Sequence, residues 1–414
     1  MHIKLILGLL VLLGTAGIVY AQEDYTTIDQ HALSVPSEVC NSVESLAKYL
    51  VEPAKNEIEK VRAIHKWITE NIAYDVEALE SGDYGKQSVP EVLKSKKGVC
   101  SEYSSVFVAL AKQAGLEAVT VIGFSKGPGF GSDSVAPDAD HAWNAVKADD
   151  EWYLLDCTWA AGYVDASSKF VRKAFDHYFM TPPDQFIYDH LPEVSKWQLL
   201  DTPINRKQFE NMVYLRPGFF HNKLRVVSND KRDIMSDGSV KLTFGGPSDA
   251  QLNAEVSRGR DRDSSCQTFV QKDGNNLNVS TIIPKTGRYT LRLYAKRGDS
   301  DNRFEWAADY SVNVTSEGAK EKSMPTAFST FYEKNAVLHE PMSGSLKTGS
   351  TEKFQIAAPG AESVNVVVGG QWIPLKQSDG LFEGEVDIKG DVVQLVAKYP
   401  DNESSYVLLK YKVK

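Results

Sequence analysis

An α+β domain followed by two β-sandwiches is the fold that this sequence predicts, and three observations predict it. Apolar residues recur at helical spacing between Pro36 and Ala73 and again after Cys100. Two short hydrophobic runs around 141–156 have the spacing of a hairpin, and after Leu200 the chain becomes alternating strands cut by Gly, Pro, Asn and Asp. The 414 residues carry a formal charge of −9 and a hydrophobic content of 42%, enough core for two or three domains and the wrong balance for a nucleic-acid partner.

The chain opens with Met1-His2-Ile3-Lys4, an apolar run from Leu5 to Tyr20, and then Ala21-Gln22. A basic tip, a short apolar core and small residues at Val19 and Ala21 read as a secretory signal over 1–21, with Gln22 as the mature N-terminus. Gly8, Gly14 and Gly17 interrupt the run, so an uncleaved membrane anchor is the minority reading. The expected location is therefore secreted or extracytoplasmic, periplasmic or at the cell surface in a bacterium.

Two helices come next. Val43, Leu46 and Leu50 line one apolar face, and Ile58, Val61, Ile64 and Ile68 line another. A third helix starts at Cys100, because Tyr103, Val106, Phe107, Leu110 and Ala114 keep the helical period and Gly115 stops it. Free N–H groups and the positive end of the helix dipole stabilise a thiolate at such a position. Downstream, 141–146 and 151–156 read as strands joined by the polar turn Lys147-Ala148-Asp149-Asp150. Antiparallel pairing brings His141 and Asp156 together at the open end of that hairpin. A cysteine activated by an imidazole that a carboxylate orients is the chemistry of a nucleophilic acyl-transfer enzyme. Singly, a cysteine, a histidine or an aspartate is more often a packing residue or a cap; jointly the three make a candidate site.

Other polar features read as structure. His65 is expected to be a surface or core histidine. The glycine-rich stretch 123–131 lacks the ending of a phosphate loop and reads as a mobile loop, and Asp133, Asp138 and Asp140 match no calcium-loop spacing. Trp143 and Trp159 are read as core. With Cys100 reserved as a nucleophile, Cys40, Cys157 and Cys266 remain and cannot all pair; few or no disulfides are expected, and Cys157 is expected on a strand facing into packing. Gln87 has the chemistry of an oxyanion donor but reads as a loop residue.

The half after Leu200 contains a repeat. Lys241-Leu242-Thr243-Phe244 parallels Lys353-Phe354-Gln355-Ile356, and Leu252, Ala254 and Val256 parallel Val364, Val366 and Val368. Leu293-Tyr294-Ala295-Lys296 and Tyr310-Ser311-Val312 parallel Leu395-Val396-Ala397-Lys398 and Tyr411-Lys412-Val413. One β-sandwich is therefore placed at 201–316 and a second, separable one at 317–414, with the charged run 316–322 between them.

Several motifs together resemble the transglutaminase-like cysteine enzymes of the papain-like superfamily, of the kyphoscoliosis peptidase type. They are Lys66-Trp67-Ile68-Thr69, Ile72-Ala73-Tyr74-Asp75, Ser81-Gly82-Asp83-Tyr84-Gly85, the Cys100 segment, Asp140-His141-Ala142-Trp143-Asn144 and Trp152 through Trp159. Tyr178-Phe179, His190-Leu191-Pro192 and Trp197-Gln198-Leu199-Leu200 complete the order. The resemblance implies a catalytic domain over 22–200 with a Cys-His-Asp triad at Cys100, His141 and Asp156, followed by immunoglobulin-like domains. It further implies a cysteine peptidase, amidase or acyl transferase acting on protein or peptide amides. A cysteine-histidine ion pair needs no metal and the acidic loops lack calcium-ligand spacing, so no cofactor and no metal are expected. The alternative is an inactive scaffold or adhesion protein on the same core. The β-domains are expected to bind an extracellular or cell-surface protein or glycan, or to serve as spacers.

Overall fold

The computed structural model describes residues 24–83, 85–127, 138–259, 261–298, 303–319, 322–401 and 403–414. The leader read at 1–21, positions 128–131 of the glycine-rich loop and Asp133 lie outside the described residues. By its contacts the described chain divides into two units, one made of 24–119, 146–151 and 157–174, the other of 120–145, 152–156 and 175–414.

The first unit is helical. Helix α1 (Val43–Leu50) is capped by Ser42, whose hydroxyl accepts from the Ser45 N–H, and α2 (Glu57–Asn71) is capped in the same way by Asn56 through Glu59. They pack against α3 (Cys100–Gln113) with Leu46, Leu50, Val61, Ile64, Trp67, Ile68, Val106, Phe107 and Leu110 all fully buried. The apolar faces read from the sequence are these contact faces. Two further helical segments carry weaker signals: Thr26–Leu33 buries only Ile28 and Ala32, and the five-residue Ser37–Asn41 buries none. Asp29 on the first of them grips Arg62 through two bonds, 2.7 and 2.6 Å.

The second unit holds most of a four-stranded sheet formed by β1 (Glu117–Ser125), β2 (His141–Ala148), β3 (Glu151–Leu155) and β4 (His190–Pro192), in the order β3-β2-β1-β4. The β2–β3 hairpin turns on two residues, Asp149 and Asp150, both in the left-handed region at φ 48° and 66°. That is the tight turn whose twist suits a hairpin, and it lets β2 run two residues further than the sequence reading gave it. A Cβ on Gly123 of β1 would lie 2.2 Å from the Leu191 carbonyl oxygen and 2.5 Å from Trp143, so only glycine lets β4 close on β1 here.

Two β-sandwiches follow. Counting paired neighbours, the first has Arg225–Val226, Ser239–Gly245, Asn276–Ile282 and Gln267–Asp273 in one sheet and Asp233–Ser236, Glu305–Val314, Gly287–Arg297, Ala250–Arg258 and Asp261–Arg262 in the other. The second repeats this order strand for strand, down to the short strand Ser345–Leu346 that joins its last strand in parallel as Asp233–Ser236 joins its own. One offset separates Tyr214–Leu215 from Thr326–Ala327, Pro217–His221 from Ser329–Glu333, and Ser239–Gly245 from Thr351–Ala357. Each module thus starts at the short strand before its helix, later than the 201 and 317 read from composition. Val213, just before that strand, already joins the first core, whereas Phe209 packs with Ile187 and Leu191.

The modules are not independent beads. In Gln267–Asp273 alternate side chains face opposite ways, so Val270 packs on the first core while Phe269 is buried in the second, against Phe331. Beside it the Gln271 amide donates to the Leu338 carbonyl at 3.1 Å and accepts from the Leu338 N–H at 3.0 Å. The separability expected of 317–414 is therefore limited, because an excised second module loses an aromatic group from its core. Phe269→Ala should destabilise the second module by about 3–5 kcal/mol. Hydrogen exchange should then report loss of protection in Thr351–Ala357 with Ser239–Gly245 still protected; equal protection in both proteins would contradict the shared core.

Candidate active site

Cys100 is the first residue of α3 and is half-buried. The cap position is Val99, in extended conformation with no side-chain cap bond. The loop that delivers Cys100 is held instead by Glu102, three residues into the helix and buried. One carboxylate oxygen accepts from the Val99 N–H at 2.8 Å and the other from the Gln87 N–H at 3.0 Å. Gly98 makes room for this return, since a Cβ there would lie 2.9 Å from the Glu102 Cβ. The Gln87 side chain donates to the Lys97 carbonyl and accepts from Ser95, which makes it a loop brace.

The second unit brings together His141 and Asp156. His141 begins β2, Asp156 follows β3 directly, and His141 Nε2 donates to Asp156 Oδ2 at 2.7 Å. The same carboxylate oxygen receives His190 Nε2 at 3.1 Å, from the start of β4. His190 Nδ1 reaches Asp189 Oδ1 at 2.7 Å, and the Tyr178 hydroxyl donates to Asp189 Oδ2 at 3.1 Å. The backbone N–H of Asp156 donates to the Tyr178 carbonyl at 2.9 Å. Asp156 and His190 have no exposed surface and His141 is 7% exposed. Phe186 stacks on the His190 ring at 4.1 Å and Trp143 meets it edge-on at 4.9 Å, so the relay is walled by aromatic groups.

This setting fixes the charges. Burial pushes the Asp156 carboxyl up, but the charge and hydrogen bond of His141, joined by those of His190, outweigh it and hold Asp156 well below the usual carboxylate range. Asp189 is also lowered: burial opposes ionisation and His190 prevails, helped by His177 and Arg216. For His190 burial favours the neutral ring, and the two carboxylates override it and raise its pKa. Burial and Asp189 keep Tyr178 a phenol. One ligand atom from each of His141, Asp156 and His190 lies within 4.8 Å of the others, a spacing that a cation could meet. Yet the contacts are hydrogen-bond lengths and the second nitrogen of His190 is already engaged, so the group is complete as a relay.

Among the other residues singled out in the sequence, Asp140 accepts from the Ser125 N–H at 2.8 Å and Asp138 is exposed. His65 is buried on α2, and Trp143 is core. None of the four cysteines is in a disulfide. Cys157 is buried as expected but begins a short helix, α4 (Cys157–Ala161), because the chain turns out of β3 as soon as Asp156 is placed. His190, Asp189 and Tyr178 were not read as site residues. Tyr178 and His190 lie in Tyr178-Phe179 and His190-Leu191-Pro192, motifs that carry the resemblance, and Asp189 lies outside both.

The relay has a pH signature. His190, raised above its unfolded value, stabilises the fold below about pH 6.5 and loses that contribution as pH rises through its folded pKa. Asp156 and Asp189, lowered, contribute above about pH 4 and lose it as pH falls through their folded values. The urea midpoint should be highest between about pH 4 and 6.5 and decline on both sides; a midpoint that climbs steadily past neutrality would contradict the relay.

Comparison with known proteins agrees with this architecture. Residues 44–157 match the transglutaminase-like superfamily and residues 206–326 match the KY-like, immunoglobulin-like domain. Kyphoscoliosis peptidase of Mus musculus is 33% identical over 295 residues, covering 67% of this chain and 43% of that protein. The Homo sapiens protein of that name is 32% identical over 287 residues, covering 67% and 42%. Hillarin of Drosophila melanogaster is 28% identical over 301 residues, covering 66% and 36%. The chain spans less than half the length of these relatives. It therefore pairs a domain of the transglutaminase-like superfamily with a KY-like, immunoglobulin-like domain, and is related to kyphoscoliosis peptidase.

Proposed function

We propose that this chain is a cysteine hydrolase or acyl transferase acting on amide bonds of proteins or peptides, with Cys100 as nucleophile, His141 as acid and base, and Asp156 as the group that orients His141. The observation that carries the reading is the buried 2.7 Å bond from His141 Nε2 to Asp156, which assigns proton exchange to Nδ1. Cys100 at the start of a fourteen-residue helix supports the nucleophile's part.

In this reaction the thiolate attacks the amide carbon and the carbonyl π electrons move to oxygen. The oxyanion is held by the Cys100 N–H and a second donor. Collapse breaks the C–N bond as His141 Nδ1 gives its proton to the departing nitrogen, leaving a thioester. Water or an amine then attacks, His141 takes the proton, and the C–S bond breaks to restore the thiolate. Water gives hydrolysis or deamidation; lysine gives a cross-link. We further propose export on the strength of the 1–21 segment, and an extracellular protein or glycan as ligand of the β-modules.

The test measures ammonia release and amine incorporation side by side on glutamine-containing proteins. Cys100→Ala and His141→Ala should abolish both, whereas Asp156→Asn should keep more residual turnover. Wild-type protein that folds but turns over no amide would support the scaffold reading. Activity should survive EDTA and EGTA, because a cysteine-histidine pair makes its nucleophile without a metal. Loss on chelation and recovery with Ca²⁺ would contradict this and direct attention to Asp138 and Asp140.

A further inference from the structure

His190 is the one ring in the relay that touches two carboxylates, through Nε2 to Asp156 and Nδ1 to Asp189. A neutral imidazole has one N–H and one lone pair, and an ionised carboxylate only accepts. Serving both carboxylates therefore takes two N–H groups, an imidazolium, unless one carboxyl holds a proton. The neighbours disfavour that exception. With His141 also donating to Asp156 Oδ2 and the Tyr178 hydroxyl to Asp189 Oδ2, each carboxylate takes two donors, which favours its ionised form.

We propose that His190 is a buried imidazolium and a positioning residue for the reaction assigned above: it pins the Asp156 carboxylate to His141 and offsets part of its charge, so that His141 releases its proton more readily. The proposal rests on that assignment for its catalytic part. The geometry supplies the means. His190 Nε2 and His141 Nε2 converge on one oxygen, with their ring centroids 5.3 Å apart. A second positive charge there weakens the hold of Asp156 on the His141 imidazolium. Without it, Asp156 would keep His141 protonated to higher pH and slow the step in which His141 must act as a base.

The charged and titratable groups around His190 are His141 and Asp156 on the hairpin, Asp189 on its own strand's approach and Tyr178 beside it. His177, Arg216 and Lys126 act on Asp189. Burial pushes His177 down to about 4, which leaves it neutral at neutral pH, and pushes Lys126 down to about 7. Phe186 and Trp143 cover the remaining faces with apolar surface.

The experiment is nitrogen-15 NMR of histidine-labelled full chain across pH, with His190 assigned through His190→Asn, alongside the amide turnover assay. In wild type both His190 nitrogens should stay protonated above the range in which an ordinary histidine titrates. In His190→Asn the His141 titration should move up by about one pH unit, and kcat should fall roughly tenfold or more with KM within about twofold. If His190→Asn does not fold, Asp189→Asn gives the same test: it keeps an acceptor, removes one charge, and should let His190 deprotonate at lower pH than in the wild type. A singly protonated His190 at pH 7, or an unmoved His141 titration in the variants, overturns the proposal. Turnover unchanged in His141→Ala would instead overturn the catalytic assignment, and the protonation state of His190 would still stand or fall by its own spectrum.

Discussion

Asp156 is an ionised carboxylate with no contact with water, and the second unit's layout around the site follows from giving it partners. An isolated buried charge costs several kcal/mol, and removing one partner of a buried pair typically costs about 3–5 kcal/mol. The hairpin brings His141 from one side. The β4 strand brings His190 from the other, and Tyr178 supplies the backbone acceptor for the Asp156 amide. Each of these segments has a local reason to be where it is. The Asp149-Asp150 turn sets the hairpin register, Gly123 removes the side chain that would hold β4 away, and Phe186 and Trp143 fill the space against the ring.

The two units prepare their candidate residues in different ways. Around Cys100 the work is done by backbone: a helix start, a glycine at 98 and a buried Glu102 that ties the incoming loop. Around His141 it is done by charge, with each proton donor matched to a carboxylate oxygen. The same division explains why burial is tolerated. Glu102 spends both oxygens on backbone N–H groups, while Asp156 and Asp189 spend theirs on two histidines and a tyrosine. In the β-modules the binding principle is simpler, and duplication of one strand order leaves a shared aromatic, Phe269, as the clasp.

Much of this was legible in the sequence. Helical spacing located α1, α2 and α3, and the repeat at 241–244 and 353–356 falls on equivalent strands because alternation in a sandwich core leaves a strong period. The ends of the hairpin put His141 beside Asp156 by counting alone. Less legible were features made by long-range closure. Nothing local marks His190 as a partner of Asp156, since the two meet only when β4 pairs with β1. Composition placed the module starts at the charged run and at Leu200, whereas the strands that begin them, at Tyr214 and Thr326, are two residues long and invisible to a window of any length. Cys157 reads as strand because it adjoins the hairpin strand that ends at Asp156, and the helix it starts is only five residues.

Under the proposed assignment, the Asp156 relay sets Cys100 apart from the other thiols. Cys157 is buried, and burial and the nearby Asp263 push the Cys266 thiol up to about 11. Competitive labelling of the folded chain with trace iodoacetamide at mildly acidic pH, read out by peptide mass spectrometry, compares all four cysteines in one tube. The account predicts that Cys100 takes most of the label in the wild type and loses its lead over Cys40 in Asp156→Asn. Equal labelling of Cys100 and Cys40 in the wild type, or a lead untouched by the substitution, would contradict it.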